Sequence, residues 1–343
     1  MLEYLILMAC VQSPEPAKLD AATRGRYEAA ARYSEETSGF SLLINHGDET
    51  VFEVYAGGTN AQTAHELMSG TKSFWGVLAM AAIEDERLTL DERVSDTITE
   101  WKSDELRSVI TVRQLLDLSS GLPSSQLRFA FARNKYESAI GVESDRPGGE
   151  RFEYGPTSYY VFGELLRRKL EKEKLDPLAY LEQRILDPIG LRSASWKRDK
   201  KDNPLLPHGA ALTAREWVKF GVFLLNGGKV GETRVIASEQ LQLCFNPSAA
   251  NPNYGLTFWL GVHAVESLQL SMIDNERRRK RVAERQLKRR KGRGKNIPEK
   301  LWIAAGKGNQ RMYVFPEHEL IIIRQGEDDR DWSDLEFLEL IFP

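Results

Sequence analysis

The apolar and polar positions of this 343-residue chain change periodicity twice along its length. Residues 19 to 36 follow helical spacing, and "FSLLINHGDETVFEVYAGG" then reads as two strand-like runs joined at His46-Gly47-Asp48, the turn chemistry of a hairpin. In "LMSGTKSFWGVLAMAAI", Trp75, Leu78, Ala79, Ala82 and Ile83 recur at i, i+3, i+4, i+7 and i+8, which predicts a helix with one apolar face. From about 91 to 245 the chain reads as helical segments and loops: "TVRQLLDLSSGL", "SYYVFGELLRRKLEKE", "DPLAYLEQRILDPIGL" and "LTAREWVKFGVFLLNGG". The second, third and fourth begin near Ser, Asp or Thr residues able to cap them, and the first and last end at Gly. Strand character returns in "YGLTFWLGVH", "LWIAAGKGN" and "RMYVFPEHELIIIRQG", before a closing helix "DWSDLEFLELI".

This order predicts an α+β fold: an antiparallel sheet flanked by helices and built from both chain ends, with a mostly helical domain inserted between them. The expected division is a sheet domain from 19–90 and 246–343, a helical domain from 91–245, and an N-terminal segment from 1–18. Composition adds limits. The chain is 41% hydrophobic and 28% charged, and no run approaches the ~20 apolar residues of a membrane-spanning helix. Two cysteines, Cys10 and Cys244, and five scattered histidines suggest neither a disulfide framework nor a metal centre, so no cofactor is expected. Leu7-Met8-Ala9-Cys10 is similar to a bacterial lipoprotein cleavage box. No basic residue precedes the short apolar run, yet the segment tips the expectation toward a remnant export signal and a bacterial periplasmic or secreted protein.

The charge is uneven. The net −3 includes "ERRRKRVAERQLKRRKGRGK", residues 276–295, where twelve Lys/Arg face two Glu for a local +10, so the rest of the chain sums to −13. Two readings stand: a solvated insertion, or a patch that draws in an anionic polymer or a membrane surface. Nucleic acid is the weakest partner, because the run has no aromatic residue for base stacking.

Ser69 and Lys72 are the first chemical candidates. Residues three apart on a helix share a face, so Lys72 reaches back to the Ser69 hydroxyl, and a helix N-terminus places backbone N–H groups near any oxyanion formed there. Serine needs a base, and lysine serves as one only where burial or a nearby cation lowers its pKa. By itself, SxxK is common by chance and reads first as a Ser helix cap followed by a surface lysine.

The surrounding text adds weight. "MSGTKSFWGVLAMAAIEDERLTLDERVSDTITEW", followed by "ITVRQLLDLSSGL", "RPGGERFEYGPTSYYVFGELL", "ILDPIGLRSASW", "ALTAREWVKFGVFLLNGG", "YGLTFWLG" and "AAGKGNQRMYVFPEHELIIIRQG", resembles the serine β-lactamase and penicillin-binding-protein superfamily, in its class C and esterase-like branch. The resemblance covers roughly residues 25 to 326. It implies a β-lactamase/transpeptidase-like fold and a serine hydrolase working through an acyl-enzyme on a small-molecule, peptide or ester substrate.

Carried over residue by residue, the resemblance implies Ser69 as nucleophile and Lys72 as its proton partner. Tyr154 matches the tyrosine of the YxN motif, a base or relay whose phenol two nearby lysine ammoniums would lower in pKa. Lys307 matches the first residue of the KTG or HxG triplet on an inner strand, with Gly308 and Asn309 completing a substrate-binding triplet. Gln310 then falls where the second oxyanion N–H is supplied, beside that of Ser69. Two departures stand out: Pro156 replaces the asparagine of YxN, with Thr157 or Ser158 as nearby substitutes, and Gly308-Asn309 replaces Thr-Gly. The missing groups grip a β-lactam or peptide amide, so ester or peptide cleavage is expected over efficient β-lactam hydrolysis. The alternative is a penicillin-binding-like sensor or binding protein with little turnover.

Overall fold

The computed structural model describes residues 19–271, 280–281 and 294–343. The N-terminal segment 1–18 and nearly all of the basic run lie outside the described residues. Strands are β1 Gly39–His46, β2 Glu49–Tyr55, β3 His65–Glu66, β4 Ser195–Trp196, β5 Ala210–Leu212, β6 Lys229–Val230, β7 Thr233–Arg234, β8 Trp259–Leu260, β9 Trp302–Gly306, β10 Gln310–Phe315 and β11 Leu320–Gly326. Helices are α1 Ala21–Glu36, α2 Ser73–Glu84, α3 Val112–Leu116, α4 Gln126–Phe131, α5 Lys135–Ile140, α6 Thr157–Leu170, α7 Pro177–Leu181, α8 Ala214–Leu225, α9 Ser238–Gln242, α10 Ala264–Ser271 and α11 Asp334–Ile341.

The main sheet is antiparallel and runs β2-β1-β11-β10-β9-β8, so the first strands close against the last, with Leu43 opposite Ile323 and Ile44 opposite Ile322. This is the α+β sheet built from both chain ends, with α1 and α11 packed together. The middle of the chain is helical but not purely so. It also contributes β4 and β5, which form a small sheet with β3, and the β6-β7 ribbon.

Local chemistry explains the element starts. Asp20 caps α1 by accepting from the Ala22 and Thr23 amides. Thr111 and Gln114 form a capping box on α3, while Asp176 and Thr213 cap α7 and α8. Helix α6 departs from this pattern: Pro156 stands at its N-cap without a side-chain bond, and Ser158 is buried against the Ser120 hydroxyl at 2.9 Å. Helix α2 departs from its expected single apolar face, because Ser73 through Ala82 are all buried. Small residues between the large ones let neighbours close on every side, which makes it the central helix of the core.

The strand expected through "YGLTFWLGVH" shortens to β8, where the backbone around Thr257 turns through φ +75°. Strand β8 covers only the first half of β9, pairing Trp259 with Ile303 and Leu260 with Trp302. The far end of β9 is left to meet the turn that carries Ser69.

Candidate active site

Ser69 lies in a 3₁₀ turn, Met68–Lys72, that feeds directly into α2. Met68, just before it, holds φ +49°, a left-handed conformation uncommon for a residue with a side chain. The sequence spacing works as expected: Lys72 Nζ donates to Ser69 Oγ at 2.9 Å, and also to the Pro207 carbonyl at 3.1 Å. Lys72 is only 4% exposed, and burial lowers its pKa to about 7. A surface lysine on a capped helix is thereby excluded.

Tyr154 stands over this pair, its ring centroid 4.9 Å from Lys72 Nζ, within an aromatic cluster of Phe152, Tyr254 and Trp259. The expected lowering of its pKa is corrected. Burial pushes the phenol up to about 12, against the opposing pull of Ser69, Arg311 and Trp259. The phenol is therefore neutral near pH 7, a proton donor at rest and not a standing phenolate.

The third motif sits differently from its expected place. Lys307 is not on a strand: it occupies the turn between β9 and β10, is largely exposed, and stands 3.7 Å from Asp328. Gly308 and Asn309, at φ +77° and +53°, complete that turn. Gly308 N–H bonds to Asp328 Oδ1 and Asn309 Nδ2 to the Glu327 carbonyl, so both face the loop after β11 and neither lines the cleft. Gln310 belongs to β10, opposite Gly306, with its side-chain amide turned to the Gly308 and Gly326 carbonyls. The strand residue that meets the nucleophile's turn is Gly306. A Cβ there would lie 2.0 Å from the Leu67 carbonyl oxygen and 3.1 Å from the Gly70 nitrogen, so only glycine fits.

Gly306 is held from behind. Arg311, 1% exposed, donates to its carbonyl at 3.0 Å and to that of Gln310 at 2.9 Å, and pairs with fully buried Asp334 at 2.5 and 3.1 Å. Tyr313 and Trp332 also donate to Asp334. No signal in the sequence marked this network.

Ser69, Lys72, Tyr154 and Lys307 converge on one cleft of ≈ 390 Å³, lined also by Gln126, Phe129, Lys135, Tyr160 and His208. Pro156 is at its wall, presenting no hydrogen-bonding side chain where an asparagine was the expected family residue. Thr157 and Ser158 do not substitute. Both are buried, with Thr157 Oγ1 bonded to the Pro123 and Ser124 carbonyls at 2.7 Å and Ser158 to Ser120. Among the described residues, no cluster of three or more His, Cys, Asp or Glu is placed to hold a metal ion.

This sheet, central helix and Ser–Lys turn define a β-lactamase/transpeptidase-like fold. The chain belongs to the Beta-lactamase family, whose family model matches residues 24–325. It is 27% identical over 145 residues to Protein flp of Staphylococcus aureus (strain MW2), covering 40% of this chain and 28% of that protein. It is 25% identical over 223 residues to the 6-aminohexanoate-dimer hydrolase of Paenarthrobacter ureafaciens, covering 59% of this chain and 56% of the relative. The chain thus spans well under two thirds of either relative's length. In structure it is similar to EstCE1, a hydrolase with promiscuous acyltransferase activity, at a TM-score of 0.69 with 14% identity over 94% of this chain and 99% of the other, and to a putative 6-aminohexanoate-dimer hydrolase from Bacillus anthracis, at a TM-score of 0.68 with 17% identity over 90% of this chain and 78% of the other.

Proposed function

We propose that this protein is a serine hydrolase that forms an acyl-enzyme at Ser69 from an ester or amide. The observation that carries the reading is the 2.9 Å bond between Ser69 Oγ and a buried Lys72 whose pKa falls to about 7. Near neutral pH a substantial fraction of such a lysine is unprotonated and accepts the serine proton as Oγ bonds to the acyl carbon. The bond from that carbon to the leaving oxygen or nitrogen then breaks, and the neutral Tyr154 hydroxyl supplies the leaving group's proton, to be restored from the Lys72 ammonium. Water reverses the sequence and frees the acid.

The oxyanion is assigned to the N–H groups of Ser69 and Lys307, not Gln310. In support, β9 ends at Gly306 against the Leu67 and Gly70 backbone on either side of Ser69, and Lys307 follows it, whereas Gln310 lies on β10. A second reading, a binding or sensor protein that acylates with little turnover, draws on Pro156 and the committed hydroxyls of Thr157 and Ser158. These leave a substrate amide without a side-chain grip at that wall.

A fluorophosphonate probe followed by peptide mass spectrometry tests the nucleophile. Label is expected on Ser69 of the wild type and absent from Ser69→Ala. Equal labelling of both proteins overturns the assignment. Steady turnover across a panel of esters, amides and β-lactams then removes the sensor reading, whereas a single burst supports it.

A further inference from the structure

The cleft has a second set of polar groups, Tyr160, His208 and Lys135, contributed by three separate elements. Tyr160, from α6, is fully buried and lines the cleft, and its hydroxyl has no hydrogen-bond partner among the described residues. Native structures seldom leave a buried hydroxyl unpaired, because the desolvation cost is not recovered. His208, from the loop before β5, lies edge-on to Tyr160 with ring centroids 6.4 Å apart and shows no hydrogen bond to another described residue. Lys135, the first residue of α5, directs its ammonium at the Phe129 and Ala132 carbonyls, which uses two of its three N–H donors.

The charged side chains that line the cleft have one sign. Lys72, Lys135 and Lys307 line the cleft, and among the described residues no Asp or Glu does. Burial first, and then the charges of Lys72, Lys135 and Lys197, hold the His208 pKa down at about 4 against an opposing pull from Glu66, so its ring is neutral. Asp199 does not line the cleft, and its carboxylate is bonded to the Lys135, Lys201 and Asn203 amides. The body of the chain is net negative, so this is a local reversal of charge.

Resting on the serine hydrolase reading, we propose that Tyr160, His208 and Lys135 form the recognition subsite of this enzyme, and that its substrate carries a carboxylate on the portion bound there. The carboxylate accepts from the Tyr160 hydroxyl and the remaining Lys135 N–H, and the His208 ring, unrestrained by hydrogen bonds, rotates to admit it. Charge-assisted bonds of this kind discriminate strongly against a neutral isostere.

The test compares 4-nitrophenyl hydrogen glutarate with 4-nitrophenyl pentanoate, reading the ratio of their kcat/KM so that any general loss cancels. Wild type is expected to favour the carboxylated ester by about tenfold or more. The ratio should fall toward one in Tyr160→Phe and in Lys135→Met, two variants that guard against one failing to fold. A wild-type ratio near one, a ratio unchanged in both variants, or one that falls only in Lys307→Met overturns the proposal.

A binding measurement separates this from the hydrolase reading. Calorimetry of Ser69→Ala with monomethyl glutarate and dimethyl glutarate needs no turnover. Tighter binding of the acid by about tenfold, lost on adding Tyr160→Phe, supports the subsite. Equal affinities sink it. If the wild-type protein cleaves neither ester, the hydrolase reading fails while the calorimetry still decides the subsite.

Discussion

Lys72 Nζ donates to the Pro207 carbonyl at 3.1 Å, and its other acceptor, Ser69 Oγ, is equally uncharged. A buried ammonium with two neutral acceptors has no counter-ion to offset its desolvation, which is why its pKa falls to about 7.

Acylation by a neutral Lys72 should therefore rise with pH and level off above about 7. Stability follows with a definite sign. The unfolded lysine holds its proton up to its ordinary pKa near 10.4, so between about 7 and 10.4 the unfolded chain binds more protons and this residue's contribution to stability increases with pH. Thermal melts of wild type and Lys72→Met check this: any advantage of the variant near pH 6 should shrink by pH 10. A single-turnover rate that is flat from pH 5 to 9 would remove Lys72 from the base role.

Tyr154→Phe is expected to lower kcat by about 10²–10⁴-fold, the usual worth of a positioned acid or base, with little change in Tm. Its neutral phenol, at about 12, predicts a further pattern. Esters with poor leaving groups should suffer more than 4-nitrophenyl esters, whose leaving group needs no proton. Equal losses on both would place the role of Tyr154 elsewhere.

Gly306→Ala puts a methyl group 2.0 Å from the Leu67 carbonyl, so either β9 or the nucleophile's turn must move. A shift of about 1 Å at this contact is expected to cost about 10²-fold in kcat/KM, because reacting atoms require near-contact alignment. Circular dichroism and steady-state kinetics on the purified variant measure fold and rate separately.

Asp334→Asn leaves Arg311 charged and buried without its partner. Removing one member of such a pair costs about 3–5 kcal/mol, so Tm should drop by several degrees. Because Arg311 also holds the Gly306 and Gln310 carbonyls, kcat should decline even at temperatures where the variant is fully folded. A normal kcat in folded Asp334→Asn would confine the pair to stability.

Pro156→Asn returns an amide to the cleft wall beside Tyr154. Amide or β-lactam acylation should increase relative to ester acylation, as read by nitrocefin against 4-nitrophenyl pentanoate. No change in that ratio would show that Pro156 does not limit the choice of acyl group.

The sequence by itself determined where several elements lie and which residues are adjacent along the chain, though not that α2 is buried on every side. Alternation and helical spacing located the first hairpin, the central helix and the closing helix, and three-residue spacing brought Ser69 to Lys72, because such patterns report local backbone geometry. The tertiary structure alone decided what local geometry cannot carry. Position along "AAGKGNQ" did not reveal that β9 ends at Gly306, which put Lys307 in a turn, set Gln310 on the next strand, and turned Gly308 and Asn309 from the cleft. The direction of the Tyr154 shift depended on how much protein encloses the phenol, a sum over distant segments. His208 and Tyr160, 48 residues apart, became neighbours only when α6 and the loop before β5 closed on the same cleft.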